Sequence, residues 1–131
     1  MRELTAHERK AITMLLAGDY PALPILRKQL EHCTVERQCD SDGYIARIFV
    51  DPGVPSAPLK GRQILSGVHA AVPELARGIA FKLFIREGRL SELEAATFGE
   101  SMPPARPEEL GAFDLQYLTD PVLLDRTYPF D

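Results

Sequence analysis

The segment Gly78–Gly99 constrains the fold most, because its sequence predicts two strands joined by a tight turn. Apolar side chains occupy every second position of its first half, namely Ile79, Phe81, Leu83 and Ile85. Such alternation predicts a strand with one buried face. Glu87-Gly88 is typical of a two-residue hairpin turn, and Leu90–Phe98 is the predicted return strand. The alternation breaks between Leu90 and Leu93, which predicts a β-bulge.

Two helices are predicted ahead of the strands. Thr5 and Glu8 have the spacing of a capping box, in which each side chain accepts a hydrogen bond from the backbone N–H of the other residue. Apolar residues then follow at helical spacing, which predicts one buried stripe. A second helix is predicted from about Ala22 to His32, with Pro24 in its first turn, where proline is tolerated.

Between the helices and the hairpin the apolar period becomes that of β-structure. The predicted strands there are Thr34–Cys39, Tyr44–Val50 and Arg62–Ala70. Gly67 is a candidate bulge in the third of these. Pro73–Gly78 is predicted to be a connection, and Phe113, Leu115 and Tyr117 to form a short strand at the edge of the sheet.

These elements predict one α+β domain over residues 1–131, with two N-terminal helices packed on an antiparallel sheet of four to six strands. The length is that of an ordinary single domain. The tail Thr119–Asp131 contains five large apolar residues. We expect it to dock either on its own domain or on a partner.

Charge and hydropathy narrow the possible partners. The net charge is −4 and the 15 basic residues are scattered along the chain, which disfavours nucleic-acid binding. No apolar run approaches the roughly 20 residues that span a bilayer, and residues 1–20 lack a signal-peptide pattern. We therefore expect a cytoplasmic protein that binds no membrane, with Cys33 and Cys39 kept as thiols.

An acidic strip about the hairpin is the strongest candidate surface. Glu92 and Glu94 are two residues apart on a predicted strand and so point to the same face. Glu87 and Glu100 lie nearby in sequence. Such a strip would suit a basic protein partner. It is also compatible with a merely solvated face, or with a pair of carboxylates that performs acid–base catalysis.

The sequence predicts no catalytic residue, metal site or cofactor site. Cys33 and Cys39 are separated by a spacer longer than that of usual zinc ligands. His7, expected to be exposed, and His32 and His69 have no metal-ligating or catalytic spacing. The residues Asp40, Asp42 and Asp51 superficially match a calcium loop, but Ile45 occupies the position that requires glycine. The segment Asp40–Gly43 is predicted to be a hairpin turn instead.

Three segments, Leu4–Leu30, Val68–Glu100 and Phe113–Leu118, carry a resemblance to a family that covers most of the chain up to Leu118. Its motifs lie in two of them. Leu15–Leu30 reads LLAGDYPALPILRKQL, and Gly78–Glu94 reads GIAFKLFIREGRLSELE. They resemble a widespread family of small uncharacterised bacterial proteins that share a helix pair LLxGDxPxLxxLRxQL and a hairpin GxxFxLFxxxGxLxxLE. The resemblance implies a bacterial source and an α+β fold, and it implies no catalytic residues. The chain departs from that family in having no tryptophan.

Three functional hypotheses follow. The favoured one is a non-enzymatic protein-interaction module of a bacterial cytosol, such as an immunity-type protein that neutralises a toxin. A homodimer is expected to be possible through the sheet edge and the tail. The alternatives are a small-molecule-binding domain with a cleft between helices and sheet, and a small hydrolase-like enzyme built on His69 or the glutamates.

Overall fold

A computed structural model describes residues 2–102 and 109–117. Its elements, in chain order, are α1 (Ala6–Leu15), α2 (Ala22–Leu30), β1 (Cys33–Asp40), β2 (Gly43–Val50), β3 (Arg62–Val72), β4 (Leu75–Arg86), β5 (Arg89–Thr97) and β6 (Phe113–Tyr117). The strands form one six-stranded antiparallel sheet in the order β1-β2-β5-β4-β3-β6. The predicted α+β class, with two N-terminal helices ahead of the sheet, is confirmed.

Both helices pack on one face of the sheet. Their buried leucines and isoleucine join the inward residues of the strands in one continuous apolar core. Leu93 of β5 and Leu83 of β4 lie in the middle of this core without exposed surface. Neither described helix is long and apolar enough to cross a membrane.

The helix pair is tied down by its polar residues. The Arg27 guanidinium donates to the carbonyl oxygen of Leu16 at 2.7 Å and so satisfies a carbonyl at the end of α1. The buried amide of Gln29 donates to Gly88 O at 2.9 Å and accepts from Leu90 N at 2.9 Å. A single side chain of α2 therefore holds the β4–β5 turn.

The hairpin turn between β4 and β5 has the geometry that its sequence predicts. Glu87 and Gly88 both have positive φ, at 49° and 72°, as a type I′ turn requires. A Cβ at Gly88 would lie 2.0 Å from Ala57 O, so glycine also allows the close approach of the preceding loop. The predicted irregularity after Leu90 is confirmed as a register shift at Ser91.

One connection was predicted wrongly. Pro73–Gly78 is not a loop, because β4 already begins at Leu75 and β3 continues to Val72. The two strands are joined by Pro73 and Glu74 alone. The register shift at Gly67 agrees with the predicted bulge in β3.

The outer rims of the sheet are formed by β1 and β6. Arg2 forms an isolated bridge with Val35 of β1, with backbone hydrogen bonds of 2.8 and 2.7 Å. The edge strand predicted around Leu115 is confirmed as β6, which pairs with β3. The tail Thr119–Asp131, for which docking was expected, lies outside the described residues.

Candidate functional site

Neither helix covers the second face of the sheet, which we call the open face. It consists of the alternate residues of β1 to β5 that point away from the helices. Its central members are Glu36, Gln38, Ile45, Arg47, Phe49, Ile64, Ser66, Lys82, Phe84, Arg86, Glu92 and Glu94. All of them are exposed or half-buried, whereas their neighbours along the strands are mostly buried.

Glu92 and Glu94 point to the same face of β5, as their spacing predicted, and they lie at the centre of the open face. Glu92 on β5 lies opposite Arg47 on β2, and Glu94 on β5 lies opposite Lys82 on β4. Each carboxylate therefore has a basic residue at the facing position on a neighbouring strand, an arrangement that stabilises a sheet modestly. The surface around the two glutamates is thus of mixed charge.

Shallow cavities surround the two glutamates. One of 280 Å³ is lined by both carboxylates together with Arg62, Phe84 and Arg86. Another of 90 Å³ lies between Glu92 and the β1–β2 hairpin. A third of 180 Å³ lies between Glu94 and the β1–β2 turn. Because the carboxylates border these depressions, they are accessible to side chains of another molecule.

Apolar groups interrupt the charges of the open face. Phe49 is 42% exposed, a large fraction for an aromatic residue on a strand. Phe84 carries the Arg62 guanidinium above its ring at 5.0 Å, within the range of a cation–π contact. Mixed apolar and charged groups of this kind can contact a protein surface, because they offer both buried area and charge complementarity.

The predicted strip is divided in the structure. Glu87 lies in the β4–β5 turn, where its carboxylate accepts from Gly61 N at 3.1 Å. Glu100 follows β5 at the other end and accepts from Arg77 N at 3.0 Å and Ala76 N at 2.9 Å. Those two backbone hydrogen bonds lower the pKa of Glu100. The structure therefore brings Glu92 and Glu94 together on one face, while Glu87 and Glu100 bind backbone amides at its two ends.

A buried charged cluster lies on the opposite, helix-covered face. Glu8 has no exposed surface, and its carboxylate accepts from Arg37 Nε at 2.9 Å and from Tyr44 Oη at 2.9 Å. It also accepts from Thr5 N at 2.8 Å, which completes the predicted capping box. Burial raises the pKa of Glu8, but hydrogen bonds from Arg37 and Thr5 outweigh it, so the net shift is downward. The carboxylate is therefore ionised, and both of its oxygens accept hydrogen bonds from other residues of the fold, as in a structural ion pair.

Sequence reasoning missed this cluster because its members are far apart. Arg37 is 29 residues and Tyr44 36 residues from Glu8. The signal that was present is Arg37 itself, an arginine between the apolar positions of a predicted strand. The capping box alone accounts for Glu8 as a local helix signal.

Two histidines, His7 and His69, each lie beside a phenylalanine ring. His7 was expected to be exposed, but it is half-buried with its ring 6.5 Å from that of Phe81. Burial lowers its pKa, opposed by the charge of Glu8. His69 donates from Nε2 to Arg77 O at 2.6 Å and lies against Phe98. The imidazole of His69 is thus held between a backbone carbonyl oxygen and a phenyl ring.

The two cysteines lie at opposite ends of β1. Cys33 is half-buried, Cys39 is exposed, and burial raises the pKa of the Cys33 thiol. Within residues 2–102 and 109–117, no three His, Cys, Asp or Glu side chains are grouped as metal ligands would be. A cavity of 530 Å³ lies beside Cys33 and is lined by Glu31, His32, Phe49 and Asp51 among others.

Comparisons with protein-family models, with curated proteins and with solved structures gave no match to this chain.

Proposed function

We propose that this protein is a non-enzymatic protein-interaction module that binds its partner through the open face. The observation that carries the proposal is the placement of Glu92 and Glu94 at the centre of a sheet face that neither helix covers. Sheet faces in small α+β domains are commonly packed or solvated. This one combines accessible carboxylates, surface depressions and an exposed phenylalanine.

The chemistry of the open face supports recognition over reaction. A catalytic carboxylate pair needs a partner nucleophile, or a proton donor held in a cleft, within hydrogen-bond reach. The paired positions beside Glu92 and Glu94 instead hold Arg47 and Lys82, together with Phe84 and Ile45. The two carboxylates can offer hydrogen-bond acceptors and negative charge to a basic partner.

The partner that fits best carries basic side chains opposite Glu92 and Glu94. An arginine is well suited, because its guanidinium binds carboxylates bidentately and its stem packs on apolar groups such as Phe84. In a bacterial cytosol, an immunity-type protein that neutralises a toxin would have this kind of surface. The resemblance of the helix pair and hairpin to small bacterial proteins supports the same setting.

A second candidate function rests on the cavity beside Phe49. Its volume of 530 Å³ lies within the range of small-molecule pockets. It lies at the end of β1 and β2, whereas the cleft considered from the sequence lay between helices and sheet. The space between the helices and the sheet is instead filled by core side chains such as Leu26 and Leu93, which are fully buried.

The test uses two double variants with the same change in charge. Glu92→Lys/Glu94→Lys alters the open face, and Glu74→Lys/Glu109→Lys alters two exposed glutamates outside it. Each of the three chains is immobilised on a resin and exposed to a lysate of a bacterium that encodes the protein. The protein that the resin captures is then purified and titrated against each chain by calorimetry. We expect the wild type and the control to bind with equal affinity, and the open-face variant to bind at least about 100-fold more weakly.

Two results would contradict this proposal. Equal binding by all three chains would remove the partner from the open face. Failure of the wild type to retain any protein, together with a thermal shift caused by small molecules and abolished by Phe49→Ser, would favour the ligand-binding alternative.

A further inference from the structure

We infer that the open face also binds a second copy of this chain, face to face about a two-fold axis between β2 and β5. The inference rests on the proposed function, since it uses the same surface and names a partner for it. A two-fold interface must be self-complementary, because each residue contacts its counterpart set on the other copy.

The charges of the open face have that property strand by strand. From the outer strand inward, β1 contributes Glu36 and β2 contributes Arg47. Beyond the proposed axis, β5 contributes Glu92 and Glu94 and β4 contributes Lys82. The sign of charge therefore alternates across four neighbouring strands, negative, positive, negative, positive.

A two-fold axis along the boundary of β2 and β5 exchanges these strands between copies. It places β2 over the partner copy's β5 and β1 over its β4, while positions along the strands are preserved. Arg47 and Glu92 are register partners and lie at the same level. The operation thus sets Arg47 of each copy against Glu92 of the other. It sets Glu36 of each copy over Phe84 of the other, with Lys82 and Arg86 on either side of that phenylalanine along β4.

Other placements of the axis are less favourable. An axis between β5 and β4 would set Glu94 against Lys82, but it would place β2 over β3, where Ile64 lies at the level of Arg47, and β1 over β6. Arg47 would then have no opposite charge facing it at its own level. With the axis at the boundary of β2 and β5, Arg47 faces Glu92 directly, and Glu36 lies between the levels of Lys82 and Arg86 of the other copy.

Apolar groups on the same face give the second copy something to bury. Ile45 and Phe49 on β2, and Phe84 on β4, lie between the charged positions. Facing sheets pack about 10 Å apart with interdigitating side chains, a distance that these residues span. The phenylalanines supply contact area, and the charges set the register and make association sensitive to salt.

The experiment uses charge-reversed variants that are designed to bind each other. Arg47→Glu/Lys82→Glu makes the central strands acidic, and Glu92→Lys/Glu94→Lys makes them basic. Sedimentation velocity is measured for each chain alone and for an equimolar mixture, at about 0.01 M and about 1 M salt. Urea unfolding of each variant confirms that it is folded.

We expect a wild-type dimer at low salt that dissociates at high salt. Each variant alone should be monomeric, and their mixture should restore a 1:1 dimer. Interactions within one chain would not produce association in the mixture, so the mixture separates the dimer interface from cross-strand pairing. Glu74→Lys/Glu109→Lys serves as the control and should dimerise as the wild type does.

Two results would overturn the inference. One is a wild-type monomer at about 1 mM protein, a concentration at which even millimolar dissociation constants give dimer. The other is a dimer that both charge-reversed variants retain. If the wild type is monomeric but loses its lysate partner on Glu92→Lys/Glu94→Lys, the second copy is excluded and the proposed function stands. If it dimerises as expected and captures no other protein, the second copy is the partner of the open face.

Discussion

The two faces of the sheet differ most clearly on β5, where Leu93 and Ala95 point to the helices and Glu92 and Glu94 point away. Leu93 and Ala95 are buried in the core, while the glutamates are half-buried among basic and aromatic neighbours. The strand alternation that builds the core therefore builds the candidate binding surface as well. A substitution at one position can test folding, and a substitution at the next can test binding.

The helix-covered face also contains charge, but in a different role. Glu8 is enclosed by Arg37, Tyr44 and the N-terminus of α1, and its carboxylate makes hydrogen bonds to each of them. On the open face, Glu92 and Glu94 border cavities instead. The carboxylate of Glu8 already accepts hydrogen bonds within the fold and so contributes to stability. The carboxylates of Glu92 and Glu94 border surface depressions and are available to a partner.

The largest expected effect is on the buried cluster. Glu8→Gln leaves the Arg37 guanidinium buried without a counter-charge, which should lower the free energy of unfolding by about 3–5 kcal/mol. Thr5→Ala, which removes only the helix cap, should cost about 1 kcal/mol. Urea denaturation measures both. If Glu8→Gln lowered the free energy of unfolding by less than Thr5→Ala does, the buried cluster would contribute little to stability.

The comparison of the two faces is sharpened by adjacent substitutions on β5. Leu93→Ala should cost about 2–5 kcal/mol, because it opens a cavity in a packed core. Glu94→Ala, one residue further along, should change stability by no more than about 0.5 kcal/mol. Thermal unfolding monitored by circular dichroism distinguishes these outcomes. Equal costs at the two positions would contradict the assignment of the open face.

The smallest expected effect is the dependence of stability on pH. Folding lowers the pKa of both His7 and Glu8, so the unfolded chain binds protons more readily at each. Stability should therefore fall on acidification, first below pH 6.5, the ordinary pKa of histidine, and again below pH 4.5, the ordinary pKa of glutamate. His7→Gln should flatten the upper part of the profile alone. A profile that stays unchanged in that variant would assign the upper part to other groups.

Local patterns predicted much of the fold. The capping box at Thr5, the turn at Glu87-Gly88 and the bulge after Leu90 are all present, because each depends on neighbouring residues in sequence. The connection at Pro73–Gly78 was wrong because two residues suffice for the turn, and strand pairing extends over Leu75. Propensity does not reveal such an extension, since it is stabilised by the facing strand.

The candidate site was only partly predictable. The spacing of Glu92 and Glu94 placed them on one face, but their neighbours Arg47 and Lys82 depend on which strands pair. The pairing of β2 with β5 joins residues almost 50 positions apart, and nothing local specifies it. The buried partners of Glu8 were missed for the same reason.

The bridge between Arg2 and Val35 has a consequence for how the protein is handled. Exposed sheet edges are where strands of neighbouring molecules add and start aggregation. Two backbone hydrogen bonds between Arg2 and Val35 occupy the rim of β1 at this point, so an incoming strand would have to displace Arg2. Arg2 thus acts as a guard against polymerisation at this edge, and a cleavage that removes it would expose the backbone of Val35 to an incoming strand.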